Sequence, residues 1–140
     1  MRALVITEHG PPGVLRVEER PEPHPGPGEV RVAVRAAGIN FADLMARVGI
    51  YPDAPKPPCV VGYEFAGEVE SVGEGSDGFA PGQRVAGGCR FGGYAELVVA
   101  RPENLVPLPD DWSYEEGAAV PVNYATAYAG LIRYGSLRAG

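Results

Sequence analysis

One glycine-rich segment has the spacing of a phosphate-binding turn. Gly73–Gly78 matches the pattern G-x-G-x-x-G, which holds a pyrophosphate when it follows a strand and opens a helix. Pro81 and Gly82 come shortly afterwards, so no helix begins there and no helix amides would point at a phosphate. We therefore predict a hairpin turn between two strands at this position, and not a nucleotide site.

The two cysteines lack the spacing of a metal site. Cys59 and Cys89 stand alone, with no C-x-x-C pair and no histidine at ligand spacing. Reduced structural thiols are the favoured interpretation for a chain of this kind. Spacing alone leaves a disulfide between them open.

Polar residues that could take part in chemistry lie in three short segments, Gly38–Asp43, Gly62–Gly67 and Val120–Tyr128. Asparagine is a good N-cap and aspartate favours the first turn of a helix, so Asn40 and Asp43 have a purely structural interpretation. A chemical role requires that other elements bring these segments together.

Short β-rich runs, separated by glycine and proline, fill the first two-thirds of the chain, and this pattern predicts a barrel or sandwich. Valines alternate with Arg31 and Arg35, which places the valines on one face of their strand. The proline clusters Pro21–Gly28 and Pro52–Pro58 are predicted loops. The predicted strands are Arg2–Thr7, Val14–Glu18, Glu29–Ala37, Phe65–Val72, Gln83–Ala86 and Tyr94–Val99.

Helices are predicted at Asn40–Val48 and in the last part of the chain. Ser113 is followed three residues later by glutamate, which is the pattern of a capping box. Pro121 interrupts this helical region, so we predict two pieces, Ser113–Val120 and Val122–Tyr134.

Composition predicts one folded domain. The 140 residues are 45% hydrophobic and carry a net charge of −6, and the basic residues are scattered, so nucleic acid is not an expected partner. The sequence contains neither a signal-peptide pattern nor an apolar run long enough to span a membrane. We therefore expect a cytoplasmic protein without a membrane partner.

The three polar segments, together with Pro25–Val32, Pro81–Val85 and Gly92–Glu96, resemble the catalytic domain of the medium-chain dehydrogenase/reductase family. The resemblance spans nearly the whole chain. It implies a mainly β fold with a few helices, a GroES-like, partly open β-barrel. It also implies a division into a GroES-like catalytic domain at 1–125 and a helical segment at 126–140 that leads toward a Rossmann nucleotide-binding domain.

Zinc ligands of the family are replaced in this sequence. Asn40 stands where zinc-dependent members carry a cysteine, Tyr63 where they carry a histidine, and Val122 near the third ligand. The four-cysteine lobe is also missing, so the resemblance implies no zinc. It points to the zinc-independent quinone oxidoreductase and enoyl reductase branches, which use NADPH to reduce a quinone or an α,β-unsaturated carbonyl.

The resemblance also assigns roles to residues. Tyr51 is the leading candidate for a polariser or proton donor, with an aromatic loop anchor as the alternative, and Glu64 is interpreted as structural. The implied catalytic residues are Asn40, Asp43, Tyr51 and Tyr63, and the implied cofactor-binding residues are Asn40, Tyr124 and Thr126.

The expected function is that of the substrate-side domain of an NADPH-dependent reductase. Without the nucleotide domain, we expect the chain to bind NADPH weakly and to lack the activity, and we expect exposed apolar surface that favours a homodimer. The choice between quinone, enone and acyl-thioester substrates, and between NADPH and NADH, stays open. The alternative is a stand-alone GroES-like barrel that serves binding or assembly, since a fold does not determine a function.

Overall fold

The computed structural model describes residues 1–138, and its strands form two antiparallel sheets. A three-stranded sheet has the order β2-β1-β4, and a five-stranded sheet has the order β7-β3-β5-β6-β8. The strands are β1 (Arg2–Ile6), β2 (Leu15–Glu19), β3 (Val30–Ala37), β4 (Cys59–Val60), β5 (Glu64–Val72), β6 (Arg84–Gly88), β7 (Leu97–Ala100) and β8 (Leu105–Pro107).

The two sheets meet along a short seam between β1 and the segment before β7. Ala3 forms a β-bridge with Ala95, and the Leu4 amide donates to the Tyr94 carbonyl at 2.8 Å. The sheets do not close into a complete barrel. The predicted mainly β, GroES-like and partly open architecture is therefore confirmed.

Strand β3 shows why the chain folds in this way. Val30 and Val32 are fully buried, and the side chain of Arg31 lies on the other face, where it donates to both carboxylate oxygens of Glu70 at 2.6 and 2.8 Å. The buried valines pack with Phe65 and other apolar side chains of the large sheet. The predicted alternation of faces is confirmed.

The sequence analysis missed two strands, β4 and β8, because prolines border or occupy both. Strand β4 directly follows Pro57 and Pro58, and β8 includes Pro107. Both strands lie at the edge of their sheets, where a residue without an N–H group is tolerated. The predicted run from Tyr94 becomes a regular strand only at Leu97, because Tyr94–Glu96 forms the seam to β1 instead.

The glycine-rich segment Gly73–Gly78 connects β5 to β6, which pair antiparallel. The predicted hairpin is confirmed. Gly75 and Gly78 have positive φ angles of 70° and 89°, which a residue with a side chain rarely adopts. The segment opens no helix and presents no helix N-terminus.

Helix α1 (Phe41–Val48) begins after Asn40 and ends at Gly49, as predicted. Helix α2 (Tyr114–Ala118) has the predicted capping box, because the Glu116 amide donates to the Ser113 hydroxyl at 3.1 Å and the Ser113 amide donates to the Glu116 carboxylate at 2.8 Å.

The helical region after α2 is less regular than predicted. A π-helix (Val120–Tyr124) leads into α3 (Ala125–Tyr128) and a second π-helix (Ala129–Tyr134). Pro121 lies in the first turn of this run, where its missing N–H costs nothing. Ala139 and Gly140, the end of the predicted segment 126–140, lie outside the described residues, and no helix in residues 1–138 is long and apolar enough to cross a membrane.

Candidate active site

The site begins where strand β3 ends and helix α1 starts. Asn40 has an extended backbone, with φ −112° and ψ 155°, and serves as the N-cap of α1. Its backbone N–H donates to the Asp43 carboxylate at 2.9 Å, which satisfies one amide at the helix start. Both side chains are buried, so this helix start is fixed from within the protein.

Asp43 joins three parts of the chain. Besides the Asn40 amide, its carboxylate accepts from the Gly62 amide at 3.0 Å and from the Tyr94 hydroxyl at 2.8 Å. Burial, followed by the hydrogen bond to Asp43, raises the pKa of Tyr94 above its ordinary value. The Tyr94 phenol therefore stays a neutral donor, and Asp43 holds α1 against the loop before β5.

Glu64 carries a fully buried carboxylate at the start of β5. Its oxygens accept from the Asn40 side-chain amide at 2.9 Å, from the Val122 backbone amide at 2.8 Å and from the Asn123 side-chain amide at 2.9 Å. The residue therefore links the start of α1 to the helical run near the end of the chain. All three donors are neutral.

An aromatic cluster lies beside this network. The rings of Tyr51 and Tyr63 meet edge to face with centroids 6.2 Å apart, and Phe91 lies 5.3 Å from Tyr63. The Tyr63 hydroxyl is buried and has no hydrogen-bond partner within residues 1–138. Burial raises the pKa of Tyr63, and the nearby Tyr51 phenol adds to this effect. The Tyr63 phenol is thus neutral across the physiological pH range.

Neither cysteine is placed for catalysis. Cys59 and Cys89 are both free thiols, so the disulfide that spacing left open does not form. Burial raises the pKa of Cys89 to about 12, and its thiol donates to the Gly62 carbonyl at 3.4 Å. Thiols that remain protonated are poor nucleophiles.

Of the three residues at the expected zinc-ligand positions, two belong to the hydrogen-bond network around Glu64. Asn40 and Val122 both donate to Glu64, and Tyr63 is part of the aromatic cluster. Within the described part of the chain, no group of three or more histidine, cysteine, aspartate or glutamate side chains could hold a metal ion.

Two of the three predicted cofactor-binding residues, Tyr124 and Thr126, lie on the helical run, whereas Asn40 lies at the start of α1. Tyr124 and Thr126 are exposed, and neither side chain joins the hydrogen-bond network among residues 1–138. Tyr124 lines a groove of about 660 Å³ between the run and strands β6 and β8. The structure therefore brings Asn40, Asp43 and Tyr63 into one region, and it connects Tyr124 and Thr126 to that region only through the neighbouring residues 122–123.

Three residues of this region were missed or undervalued by the sequence analysis. Glu64 is an acidic residue in the otherwise apolar stretch from Val60 to Ala66, and a charge in such a run signals a buried, hydrogen-bonded group. Tyr94 and Phe91 come from a segment distant in sequence. No local signal identifies them as neighbours of Asp43 and Tyr63.

The arrangement provides neutral hydrogen-bond donors around a buried asparagine. Such donors can stabilise negative charge that develops on an oxygen atom of a bound molecule.

Residues 26–110 match the alcohol dehydrogenase GroES-like domain. The chain belongs to this family and matches the N-terminal part of members of the medium-chain dehydrogenase/reductase family. Its relatives within that family are VAT-1 and quinone oxidoreductase-like proteins.

One such relative is the mouse protein described as synaptic vesicle membrane protein VAT-1 homolog-like. It is 39% identical over 140 residues, which cover 100% of this chain and 34% of the relative. The chain thus spans about a third of the length of the curated relatives that it matches.

Solved structures show the same fold. The human VAT-1 homolog-like protein has a TM-score of 0.95 at 39% identity, and the match covers 100% of this chain and 45% of that one. A quinone oxidoreductase from Pseudomonas syringae pv. Tomato DC3000 has a TM-score of 0.90 at 36% identity, with 99% and 43% covered. A mycobacterial protein complexed with NADPH has a TM-score of 0.91 at 36% identity, with 100% and 43% covered.

Proposed function

We propose that the protein carrying this chain is a zinc-independent, NADPH-dependent oxidoreductase that reduces a quinone or an α,β-unsaturated carbonyl compound. The observation that carries the proposal is the buried Asn40 side chain, held by Glu64, together with the neutral phenol of Tyr63, which precedes Glu64 in the chain. The likeness to a quinone oxidoreductase and to a protein complexed with NADPH supports the same assignment.

The residues present suit only one end of the cofactor. The nicotinamide ring carries a neutral carboxamide, which an asparagine amide and a threonine hydroxyl such as Asn40 and Thr126 can hold by hydrogen bonds. The glycine-rich Gly73–Gly78 loop cannot hold the phosphates, because it joins two antiparallel strands. We therefore propose that the chain by itself binds NADPH weakly and lacks the activity.

NADPH supplies a hydride when it is bound. The proposed role of this chain is to stabilise, by hydrogen bonds, the negative charge that then develops on the substrate oxygen. Asn40 donates one Nδ2 hydrogen to Glu64, which leaves its second Nδ2 hydrogen for a ligand. Asp43 acts through position alone, because its carboxylate already accepts from Asn40, Gly62 and Tyr94.

Tyr51 and Tyr63 are the proposed phenol donors. A buried hydroxyl without a partner is unfavourable, and a substrate oxygen would supply the missing acceptor for Tyr63. A phenol gives up its proton at neutral pH only to a strong base, and an enolate is such a base. Tyr51, which packs edge to face on Tyr63, is the proposed proton donor or polariser.

The proposal extends to partners and location. The free thiols Cys59 and Cys89 suit a reducing compartment, so we place the reaction in the cytosol. Exposed apolar side chains on the helical run, Tyr128, Leu131 and Tyr134 among them, favour contact with further protein, including a second copy in a homodimer. A small-molecule quinone or enone is the proposed substrate.

The test uses the full gene product and follows NADPH oxidation with a quinone, an enone and an enoyl thioester. Replacing Tyr51→Phe or Tyr63→Phe removes a donor to the developing charge, and we expect kcat for the best acceptor to fall about 100-fold in at least one variant. The control is Tyr114→Phe, whose phenol donates to Glu68 at 2.7 Å away from the aromatic cluster.

Tyr114→Phe should leave kcat unchanged. Oxidation of NADPH with none of the three acceptors would contradict the proposed function. Unchanged kcat in both Tyr51→Phe and Tyr63→Phe would show that neither phenol takes part in the reaction.

A further inference from the structure

Glu64 and Asp43 are the two buried acidic residues of the described chain, and Glu64 is the more deeply buried. The Glu64 carboxylate is completely buried, whereas the acidic side chains that form salt bridges in residues 1–138 all keep contact with solvent. None of those salt bridges includes Glu64. An ionised group in such a position is compensated by its three neutral hydrogen-bond donors alone.

The surrounding backbone leaves room for this carboxylate and no more. Gly38 lies at the end of β3, and a Cβ atom added there would approach the Glu64 Oε1 atom to 2.3 Å. The Gly38 amide also donates to the Glu64 carbonyl at 3.1 Å. Strand β5 and the approach to α1 are therefore fitted around one position of the Glu64 side chain.

A carboxylate can only accept hydrogen bonds, and this property fixes the direction of its neighbours. The Asn40 amide must turn its Nδ2 group toward Glu64, because the reverse orientation would place two acceptor oxygens against each other. The same reasoning holds for Asn123. Together with the cap of α1, the Glu64 side chain thereby determines where Asn40 presents its remaining Nδ2 hydrogen.

We propose that Glu64 is a positioning residue, which sets the orientation of the Asn40 amide and keeps it in register with the segment Val122–Asn123. The catalytic consequence rests on the proposed function, in which Asn40 meets the reacting groups. The linkage spans the two parts of the chain that carry the predicted substrate-side and cofactor-side residues. Glu64 itself touches neither substrate nor cofactor.

The experiment compares Glu64→Gln with Glu68→Gln in the full gene product. Glutamine keeps the size of the side chain but places an NH₂ group against donors. At the Oε1 position this group faces the amides of both Asn40 and Asn123, which must turn over, and at the Oε2 position it faces the Val122 amide and breaks the link to that segment. We expect Glu64→Gln to lower kcat at least about tenfold. Glu68 lies on the same strand, and its carboxylate accepts from Tyr114, so Glu68→Gln should leave kcat unchanged.

Two readouts separate positioning from a merely structural role. In a double-mutant cycle, Glu64→Gln should cost nothing further once Asn40→Ala is present, because its effect passes through that side chain. The NMR resonances of the Asn40 side-chain amide, assigned by their loss in Asn40→Ala, should shift in Glu64→Gln and stay in place in Glu68→Gln.

Equal losses of kcat from Glu64→Gln in the wild-type and Asn40→Ala backgrounds would overturn the inference, as would unmoved Asn40 resonances. A wild-type protein without reductase activity would refute the proposed function, while the resonances would still test the positioning. If Glu64→Gln does not fold, Asn123→Ala removes one donor from the exposed side. We expect Asn123→Ala to lower kcat less than Glu64→Gln would, and to have no effect on kcat in the Asn40→Ala background. An equal loss of kcat in both backgrounds would overturn the inference.

Discussion

The candidate site depends on protons that burial keeps in place. Tyr63 and Tyr94 have pKa values above that of a free phenol, chiefly because the charged form would lose its hydration. Cys89 follows the same rule, with a pKa raised to about 12. Near neutral pH these residues therefore keep their protons. Tyr94 donates to the Asp43 carboxylate and Cys89 to the Gly62 carbonyl, while the Tyr63 hydroxyl has no acceptor within residues 1–138.

Removing the Tyr94 hydroxyl tests this arrangement through stability. Tyr94→Phe deprives the buried Asp43 carboxylate of a donor at 2.8 Å, and we expect a loss of about 1–3 kcal/mol in the free energy of unfolding. Thermal unfolding of the variant and of Tyr134→Phe provides the measurement. Tyr134 is 82% exposed, so its replacement should change nothing.

The pH dependence of the same variant has a definite sign. The pKa of Tyr94 is higher in the folded than in the unfolded protein, so its contribution is complete below the unfolded pKa of about 10 and is lost as pH rises through the folded value. The Tm of the wild type should therefore fall more steeply above about pH 10 than that of Tyr94→Phe. Parallel curves would contradict the assigned shift.

The sequence predicted the position of some site residues but not the hydrogen-bond partners of others. Asn40 and Asp43 were assigned to the start of a helix, and the structure places them there because N-capping is a local interaction. Glu64 was interpreted as structural, and the structure shows that its three donors come from two segments distant in sequence. Its buried charge was the visible signal, but the identity of its partners required the fold.

At the scale of elements, the junction between β3 and α1 decides where the site lies. Gly38 separates the strand from the helix and leaves space for the Glu64 carboxylate. This part of the fold was predictable, because valine alternation and a capping pattern are local. Strands β4 and β8 were not predictable in this way, since tolerance of proline depends on the edge position that only the assembled sheets define.

Gly38→Ala should disturb this junction. The new Cβ would lie 2.3 Å from Glu64 Oε1 and 2.6 Å from its Cγ and Cδ atoms, so the buried side chain must move. We expect a loss of about 1–3 kcal/mol in the free energy of unfolding, together with a lower kcat because Asn40 loses its fixed partner.

Gly13→Ala is the matched control for this substitution. A Cβ atom at Gly13 has no neighbour within 4 Å, so its unfolding temperature and kcat should stay near the wild-type values. Unfolding curves and steady-state rates of both variants provide the measurement. A Gly38→Ala protein as stable and active as Gly13→Ala would show that the carboxylate is not held as tightly as described.

At the scale of the whole molecule, α1 and the loop before β5 bring Asn40, Asp43 and Tyr63 into one region. The helical run carries Tyr124 and Thr126, whose side chains are exposed. The mainly β, partly open fold could be predicted from strand spacing and from the family resemblance. The irregular π-helical turns could not, because they depend on contacts such as that between Val122 and Glu64. The proposed division of the chain at residue 125 stays a prediction.

In the proposed function, this chain forms the substrate side of a hydride-transferring enzyme. The most direct test of this proposal is to supply the full gene product with NADPH that carries deuterium at the transferred position of C4, together with an enone, and to analyse the product by mass spectrometry. We expect a single deuterium on the carbon β to the carbonyl. Reduced product without the label would contradict direct hydride transfer from NADPH. No reduction of an enone, a quinone or an enoyl thioester would contradict the proposed function and favour a binding or assembly module.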